Sequence, residues 1–494
     1  MSLDSSQSAT ARASVRPIRP GRTAGRCVGS AIAAAWMLLA GVGSAAPAAT
    51  VTLTAPERRV ILDALAGDPD FEDGPPAAMS DAALWSSLLR YATLELGQRV
   101  RPIQVDPLWA LAPPPRPVAA EAQAARDGGQ LGLWITGLVP TDPRYRALQG
   151  VRCRYRDLVD AGGWAVVPPA AAGRAPPAAA LSALRARLAV EGYLPRPAAT
   201  PGAGAAALAP AVADFQAHHA LTADGVVGPK TLAALNVAAE ARLAQIDANL
   251  ERWRWLARLP PERVEVDAGG PEATLFVDDA PRLAMRAIVG DRAHKTPLFA
   301  SRLESVVFNP PWNVPASIAE KELYPHERAK PGYLARNDFV RVDGGLQQRP
   351  GPLNALGQLK FDFPSPFGVY LHDTPARAAF GQANRWRSHG CVRLEDPRGL
   401  AAAVLAPQGW SREKVDAAIV AGATRRVALV QPVPLYVVYW TVAEAADGAP
   451  VFRPDPYGWD DKLLLALAGR DAGGGKTAQA DSECRAATGP ARLL

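Results

Sequence analysis

The chain has 494 residues, enough for two to four domains. Its hydrophobic fraction of 48% allows a sizeable core and argues against a disordered chain, while abundant Ala, Gly and Pro exclude a coiled coil. The net charge is +6, but five Arg against Asp4 put +4 of it within residues 1–46, and the remaining +2 is no footprint for nucleic acid.

In chain order, the Arg-bearing start precedes an apolar run from Ala31 to Val42 and then small residues, Gly43-Ser44-Ala45 or Ala46-Pro47-Ala48. This is the form of a secretory signal peptide over 1–48, with an inner-membrane signal anchor as the alternative. The run is short for a full span. Residues 50–175 read as a helical scaffold. In Ser80–Tyr91, Leu84, Leu88 and Tyr91 share one face, with Ser80 or Asp81 as cap. A Pro-rich break at 113–117 and a second helix over Pro143–Ala161 follow.

After an Ala/Pro-rich linker (Val167–Ala178), the spacing predicts three short helices, Leu181–Leu194, Ala211–His219 and Lys230–Leu235. They would share a small core of Phe215, Leu221, Val226, Leu232 and Leu235 across the turn 223–229. This unit is placed at 176–240. His218 and His219 lack a nearby third ligand and read as a solvated or half-buried pair. The segment resembles the three-helix peptidoglycan-binding domain, in Leu184–Leu194, Phe215-Gln216 and Asp224-Gly225-Val226-Val227-Gly228-Pro229-Lys230-Thr231.

A linker helix (Leu243–Leu256, within 241–260) carries Trp253-Arg254-Trp255, expected to pack on the next domain. From there the period changes to that of strands: Val264–Asp267, Thr274–Val277, Arg282–Val289, Leu303–Phe308, Gly368–Leu371, Arg425–Gln431 and Leu435–Thr441. Helices are expected only at Pro397–Leu405 and Ser411–Val420. The result is a multidomain α+β chain with a mostly β catalytic domain at 261–445. Its first strand is expected to be short, before Gly269-Gly270-Pro271. The irregular stretch 310–366, with Trp312, Tyr324 and Tyr333, has the length of a lid. Residues 446–494 form a C-terminal segment whose Gly/Ala-rich tail reads as disordered.

Export leaves Cys153, Cys391 and Cys484, an odd set without framework spacing, which fits one functional free thiol. Whether Cys153 and Cys484 pair stays open. No Cys or His spacing suits zinc, so no metal and no cofactor is expected. Cys391 stands in Ser388-His389-Gly390-Cys391-Val392-Arg393, downstream of Tyr370-Leu371-His372-Asp373-Thr374-Pro375. A thiol needs a neighbouring base to act in acyl transfer. His372, at the end of a strand, can approach from a neighbouring strand and is favoured over His389. Asp373 would point away from His372, so the acceptor orienting His372 is expected to be a backbone carbonyl. Gly390 lets its own N–H and that of Cys391 face a developing oxyanion. Arg393 would hold a substrate carboxylate.

These residues resemble the catalytic signature of the L,D-transpeptidases. Thr296-Pro297, Asn309-Pro310-Pro311-Trp312-Asn313-Val314-Pro315, Pro350–Gly357 and Lys360-Phe361 agree with it. The resemblance runs from about 55 to 465 and points to the large multidomain branch of that family. It implies a peptidoglycan substrate. The bond between diaminopimelate and the terminal D-Ala of a tetrapeptide stem is cut, a thioester forms on Cys391, and the acyl group passes to the side-chain amine of another diaminopimelate. It implies His372 as base and the carbonyl of Asp373 as its orienter. His389, Gly390 and Cys391 would line the oxyanion site, with Ser388, Arg393, Tyr370 and Trp312 toward the substrate. It also implies a periplasmic location, a capping role for 310–366 and acylation by carbapenems. Water or a lipoprotein as acceptor is the near alternative, and a non-catalytic wall-binding protein the distant one.

Overall fold

The computed structural model describes residues 51–66, 79–169, 178–194, 205–256, 258–445 and 447–471. The expected export segment, the tail after Asp471, Cys27 and Cys484 lie outside them. Among the described residues no helix is long and apolar enough to cross a membrane.

The scaffold begins with the helices Ala55–Leu65 and Asp81–Glu95. Their N-caps are Thr54, in a capping box with Glu57, and Ser80, which accepts from the Ala83 amide. They bury Ile61, Leu65, Leu84 and Leu88 in a small core of their own. The longer helix Pro143–Asp160 packs instead on the linker helix Ala239–Arg254. In the three-helix unit (Ala178–Val190, Ala205–Ala217, Pro229–Leu235), Phe215, Leu184, Leu188, Val212 and Leu235 make the core. Val226 departs from expectation and is 63% exposed, because its amide is tied to Asp224 Oδ1 (2.9 Å) in a polar turn. His219 is buried and stacked on Phe215 at 3.8 Å, and His218 meets Asp447 at 3.2 Å.

The catalytic region is built on β1 (Arg263–Asp267), β2 (Glu272–Val277), β3 (Ala280–Gly290) and β4 (Phe299–Phe308). An insertion carries β5 (Trp312–Asn313), β6 (Phe339–Val342) and β7 (Gly345–Gln348). Then come β8 (Leu359–Asp362), β9 (Leu371–His372), β10 (Trp386–Ser388), β11 (Val392–Leu394) and β12 (Arg425–Val438). The main sheet has the order β10-β3-β11-β9-β8-β4-β12-β1-β2, and β2 also pairs with β3, so the ladder returns on itself. Such closure removes most of the free edge. β1 is buried along its whole length, paired on both sides.

Three sequence expectations need adjustment. The strand placed at Gly368–Leu371 is Leu371–His372, since Gly368 adopts φ +65° and breaks the extension. The two runs near the end are one strand, β12, with an irregularity between Ala428 and Val433 that accommodates Pro432. The stretch 310–366 is a folded body that ends before β8. Its three-stranded sheet, β5-β7-β6, and the helical turns at 316–329 and 333–336 enclose Ala319, Leu323, Phe339 and Leu346.

Residues past β12 join the same core. A hairpin (Val442–Glu444 with Pro450–Phe452) precedes the helix Trp459–Asp471. Trp459 meets Trp109 of the scaffold edge-on at 5.6 Å, and Trp109 also meets Trp255 at 5.6 Å. Trp253 stacks on Trp440 at 4.5 Å, which fulfils the expectation for the Trp253-Arg254-Trp255 pair.

Candidate active site

The chain leaves β10 at Ser388, turns through His389, Gly390 and Cys391, and re-enters the sheet at Val392. These three residues are therefore a turn and not a strand. Ser388 closes it: its hydroxyl accepts from the Gly390 amide (3.1 Å) and donates to the Cys391 carbonyl (2.5 Å). Gly390 adopts φ +104°, a conformation that excludes most side chains, and a Cβ there would touch the His294 and Lys295 carbonyls and Val369, each at 3.7 Å. From the other side, Thr296 Oγ1 donates to the Gly390 carbonyl (2.9 Å) and accepts from the Gly290 amide (2.8 Å). Tyr457 supports that pair, donating to the Gly290 carbonyl (2.6 Å) and accepting from the Thr296 amide (3.3 Å).

The turn presents a half-buried free thiol, Cys391. Cys153 is disulfide-bonded and does not compete as a nucleophile. Burial pushes the Cys391 thiol up; the backbone and hydroxyl of Tyr370, then the charges of Arg393 and Lys360, pull it part of the way back. Tyr370 is pushed up in turn, first by burial and then by the thiol beside it, while the Trp312 indole favours its ionised form. Lys360 lies 4.6 Å from the Tyr370 ring centroid and is paired with Asp362 at 2.7 Å.

Parallel pairing of β9 with β11 puts Leu371 opposite Val392 and His372 opposite Arg393. His372 is buried, with its ring centroid 5.7 Å from that of Tyr370. Burial, then the Arg393 charge, drive its pKa down to about 3, so it is neutral at physiological pH. Its Nδ1 is 2.5 Å from the Asp373 carbonyl. That contact makes Nδ1 the protonated nitrogen and leaves Nε2 as the basic one. The Asp373 carboxylate is occupied elsewhere, accepting from the Gln358 amide (2.9 Å) and from Arg377 (3.0 Å). Gly357, at φ +64°, makes room for it: a Cβ there would lie 2.4 Å from Asp373 Oδ2.

Arg393 forms no ion pair among the described residues, and its Nε is buried without a hydrogen-bond partner. An orphaned, half-desolvated cation beside a nucleophile is suited to an incoming carboxylate.

Of the nine residues singled out from the sequence, the fold gathers Cys391, His372, Tyr370, Arg393 and Asp373 on or next to the paired strands β9 and β11. Trp312 reaches the same place from the insertion. Three depart from their expected placement. Ser388 is 2% exposed and builds the turn, so it does not face the cleft. The Gly390 amide is taken by Ser388, so it is not free for an oxyanion; the Cys391 amide has no partner among the described residues. His389 points outward, its Nε2 2.7 Å from Glu322 of the insertion and its ring 4.7 Å from that of His294. Sequence reading missed Tyr457 and Glu322. Nothing local marks either, because both reach the turn only through the tertiary fold.

Residues 261–431 match the family model described as the L,D-transpeptidase catalytic domain, and residues 178–235 match the model described as "Putative peptidoglycan binding domain". A curated relative from Haemophilus influenzae, named "Putative L,D-transpeptidase", is 32% identical over 205 residues. The match takes in 37% of this chain and 42% of that relative's length. Among solved structures, an L,D-transpeptidase from Mycobacterium smegmatis shares 14% identity, covering 36% of this chain and 58% of that one at a TM-score of 0.20. L,D-transpeptidase 3 from Mycobacterium tuberculosis, in complex with a faropenem-derived adduct, shares 16% over 36% and 60%, also at 0.20. Overlaps that partial carry no weight beside the sequence matches. Residues 261–431 thus match an L,D-transpeptidase catalytic domain, on one chain with a match to a putative peptidoglycan binding domain at 178–235.

Proposed function

We propose that the chain is a peptidoglycan L,D-transpeptidase acting in the periplasm. What carries this reading is a partly exposed free thiol set beside a neutral buried imidazole and an unpaired guanidinium. His372 Nε2 takes the thiol proton as Cys391 attacks the carbonyl joining diaminopimelate to the terminal D-Ala of a tetrapeptide stem. The Asp373 carbonyl holds the ring in the tautomer this requires and stabilises the imidazolium that forms. The Cys391 amide donates to the oxyanion. Arg393 binds a carboxylate of the stem, and Tyr370 with Trp312 packs along it. The imidazolium gives its proton to the departing D-Ala nitrogen, leaving a thioester. The side-chain amine of a second diaminopimelate attacks that thioester, an amide replaces the C–S bond, and the thiol is restored.

Because burial raises the thiol and lowers the imidazole, the resting pair is neutral and not a preformed ion pair. The proton moves during attack. The three-helix unit holds the enzyme on the polymer, the region 50–175 is a scaffold, and the insertion caps the cleft.

Incubating the chain with tetrapeptide muropeptides and weighing the products tests this. A dimer that has lost one D-Ala is the expected result, together with a meropenem adduct on Cys391. Tripeptide monomer alone would mean water is the acceptor. Full activity in Cys391→Ala would sink the mechanism.

A further inference from the structure

Glu322 Oε1 lies 2.7 Å from His389 Nε2, two residues from the nucleophile. Glu322 comes from the insertion, in a π-helical turn at Ala319–Leu323. Such turns are rare and concentrate at functional sites, because they re-aim one side chain without ending the helix. Glu322 and His389 are 44% and 37% exposed at their side chains, so the pair is open to a ligand. As a structural link it would be worth little, since exposed ion pairs contribute at most about 1 kcal/mol. The second carboxylate oxygen of Glu322 takes no bond from the described residues.

The placement matters more than the pair itself. The insertion bears on the thiol's surroundings at two points: Trp312 acts through Tyr370, and Glu322 acts through His389. The two sides differ in charge. On the Tyr370 side the thiol faces Arg393, a cation that suits a carboxylate, and Lys360, which is paired with Asp362 at 2.7 Å. Around His389 stand Glu322 and His294, whose Nδ1 is held by Asp291 at 3.1 Å. An acyl transfer to an amine has to accommodate two partners of unlike charge. The donor brings carboxylates; the acceptor brings an ammonium, which at neutral pH must lose a proton before it can attack.

We propose that Glu322, paired with His389 two residues from Cys391, is the seat for the acyl-accepting amine. This rests on the transpeptidase reading and adds where the second substrate binds. Glu322 holds the incoming ammonium as its counter-ion. The His389 imidazole accepts one proton from it and, as imidazolium, stays paired with Glu322. The neutral amine attacks the thioester carbonyl, forming the C–N bond; the C–S bond breaks as the tetrahedral intermediate collapses. The second nitrogen proton passes through His372 to the departing thiolate. One thioester and one ammonium become one amide and one thiol, with one proton left on His389.

The test uses the full chain and its Glu322→Gln and Glu322→Asp variants, a tetrapeptide muropeptide as donor and a tripeptide muropeptide as varied acceptor. In E322Q the KM for acceptor should rise about tenfold and the ratio of dimer to hydrolysed tripeptide should fall by the same factor. E322D should recover part of both. Meropenem acylation of Cys391, which needs no amine, reads the donor half separately and should change far less than the ratio. An unchanged ratio in E322Q, in a chain that acylates normally, overturns the acceptor seat alone. So does a ratio that holds while acylation collapses. A wild-type chain that takes no meropenem and releases no D-Ala overturns the transpeptidase reading itself, and this inference with it.

Discussion

The insertion at 310–366 and the main sheet bury themselves differently. The sheet's apolar residues belong to one continuous core that runs from Val100 in the scaffold to Leu467 in the last helix. The insertion has a core of four buried residues, Ala319, Leu323, Phe339 and Leu346, separate from the rest. It leans on the catalytic turn through polar and aromatic edges instead. A body built this way can shift against the sheet without opening the main core, while no strand of the sheet can. The geometry of the Cys391 thiol is therefore fixed by the cooperative part of the molecule, and its surroundings on the insertion side by the separable part.

The sharpest break of that contrast uses two phenylalanines. Phe361 lies on β8 and is fully buried in the main core; Phe339 lies in the insertion. Phe361→Ala should lower global stability by about 3–5 kcal/mol, the usual cost of such a cavity. Phe339→Ala should leave the main urea transition nearly in place and loosen hydrogen-exchange protection only within 312–348. If both lower the main transition equally, the insertion is no separate body. Next in size comes acid. His372 has a folded pKa of about 3 against 6.5 unfolded, so the unfolded state binds more protons between those values. Its contribution is complete above pH 6.5 and is lost as pH falls toward 3. Between pH 6.5 and pH 4 the loss is on the order of 3 kcal/mol at about 1.36 kcal/mol per unit. Unfolding free energies of the wild type and His372→Asn, compared at pH 7 and pH 4, should converge on acidification. Parallel curves would mean the imidazole is not held neutral.

How much of this the sequence disclosed follows the same division. The alternation of Val264 and Val266, or of Leu303 and Val306, marks strands because pairing and burial act on adjacent positions. Cys391 and His372 stood out because their chemistry is local to two short motifs. The carbonyl acceptor for His372 followed from the alternation of side chains at Asp373. Ser388 and Gly390 were misplaced because their roles depend on the tight turn between β10 and β11, and the motif alone does not show which amide the Ser388 hydroxyl takes. The inward Ser388 hydroxyl then takes the very amide expected to face an oxyanion. Val226 failed for a related reason: a polar Asx turn outweighs a hydrophobic pattern over so short a span. Glu322 lies 67 residues before His389, and Tyr457 lies 161 and 167 residues after Thr296 and Gly290; no spacing rule connects them, and only the tertiary fold brings them to the turn.

Two smaller effects separate support of the turn from support of the core. Gly357→Ala places a Cβ at φ +64° and 2.4 Å from Asp373 Oδ2. Left-handed backbone alone costs an L-residue about 1–2 kcal/mol, and the clash adds displacement of the Asp373 main chain that orients His372. Acylation by meropenem should slow more than stability falls. Equal losses would show that the Asp373 carbonyl does not govern the ring.

The mildest probe is Tyr457→Phe. Its ring packs against Tyr439 and Trp459 and would stay in place; only the hydroxyl that joins the Gly290 carbonyl and the Thr296 amide is lost. Removing one such buried partner costs about 1 kcal/mol. Thr296 in turn holds the Gly390 carbonyl, so the hydroxyl sits three contacts from the thiol and outside the residues that match the catalytic-domain model. Stability should fall by about 1 kcal/mol, and the meropenem acylation rate by less than tenfold. Thr296→Val, one contact nearer, should slow acylation further. If Thr296→Val slows it no more than Tyr457→Phe does, the turn is held by the sheet alone and the C-terminal segment contributes only to the core.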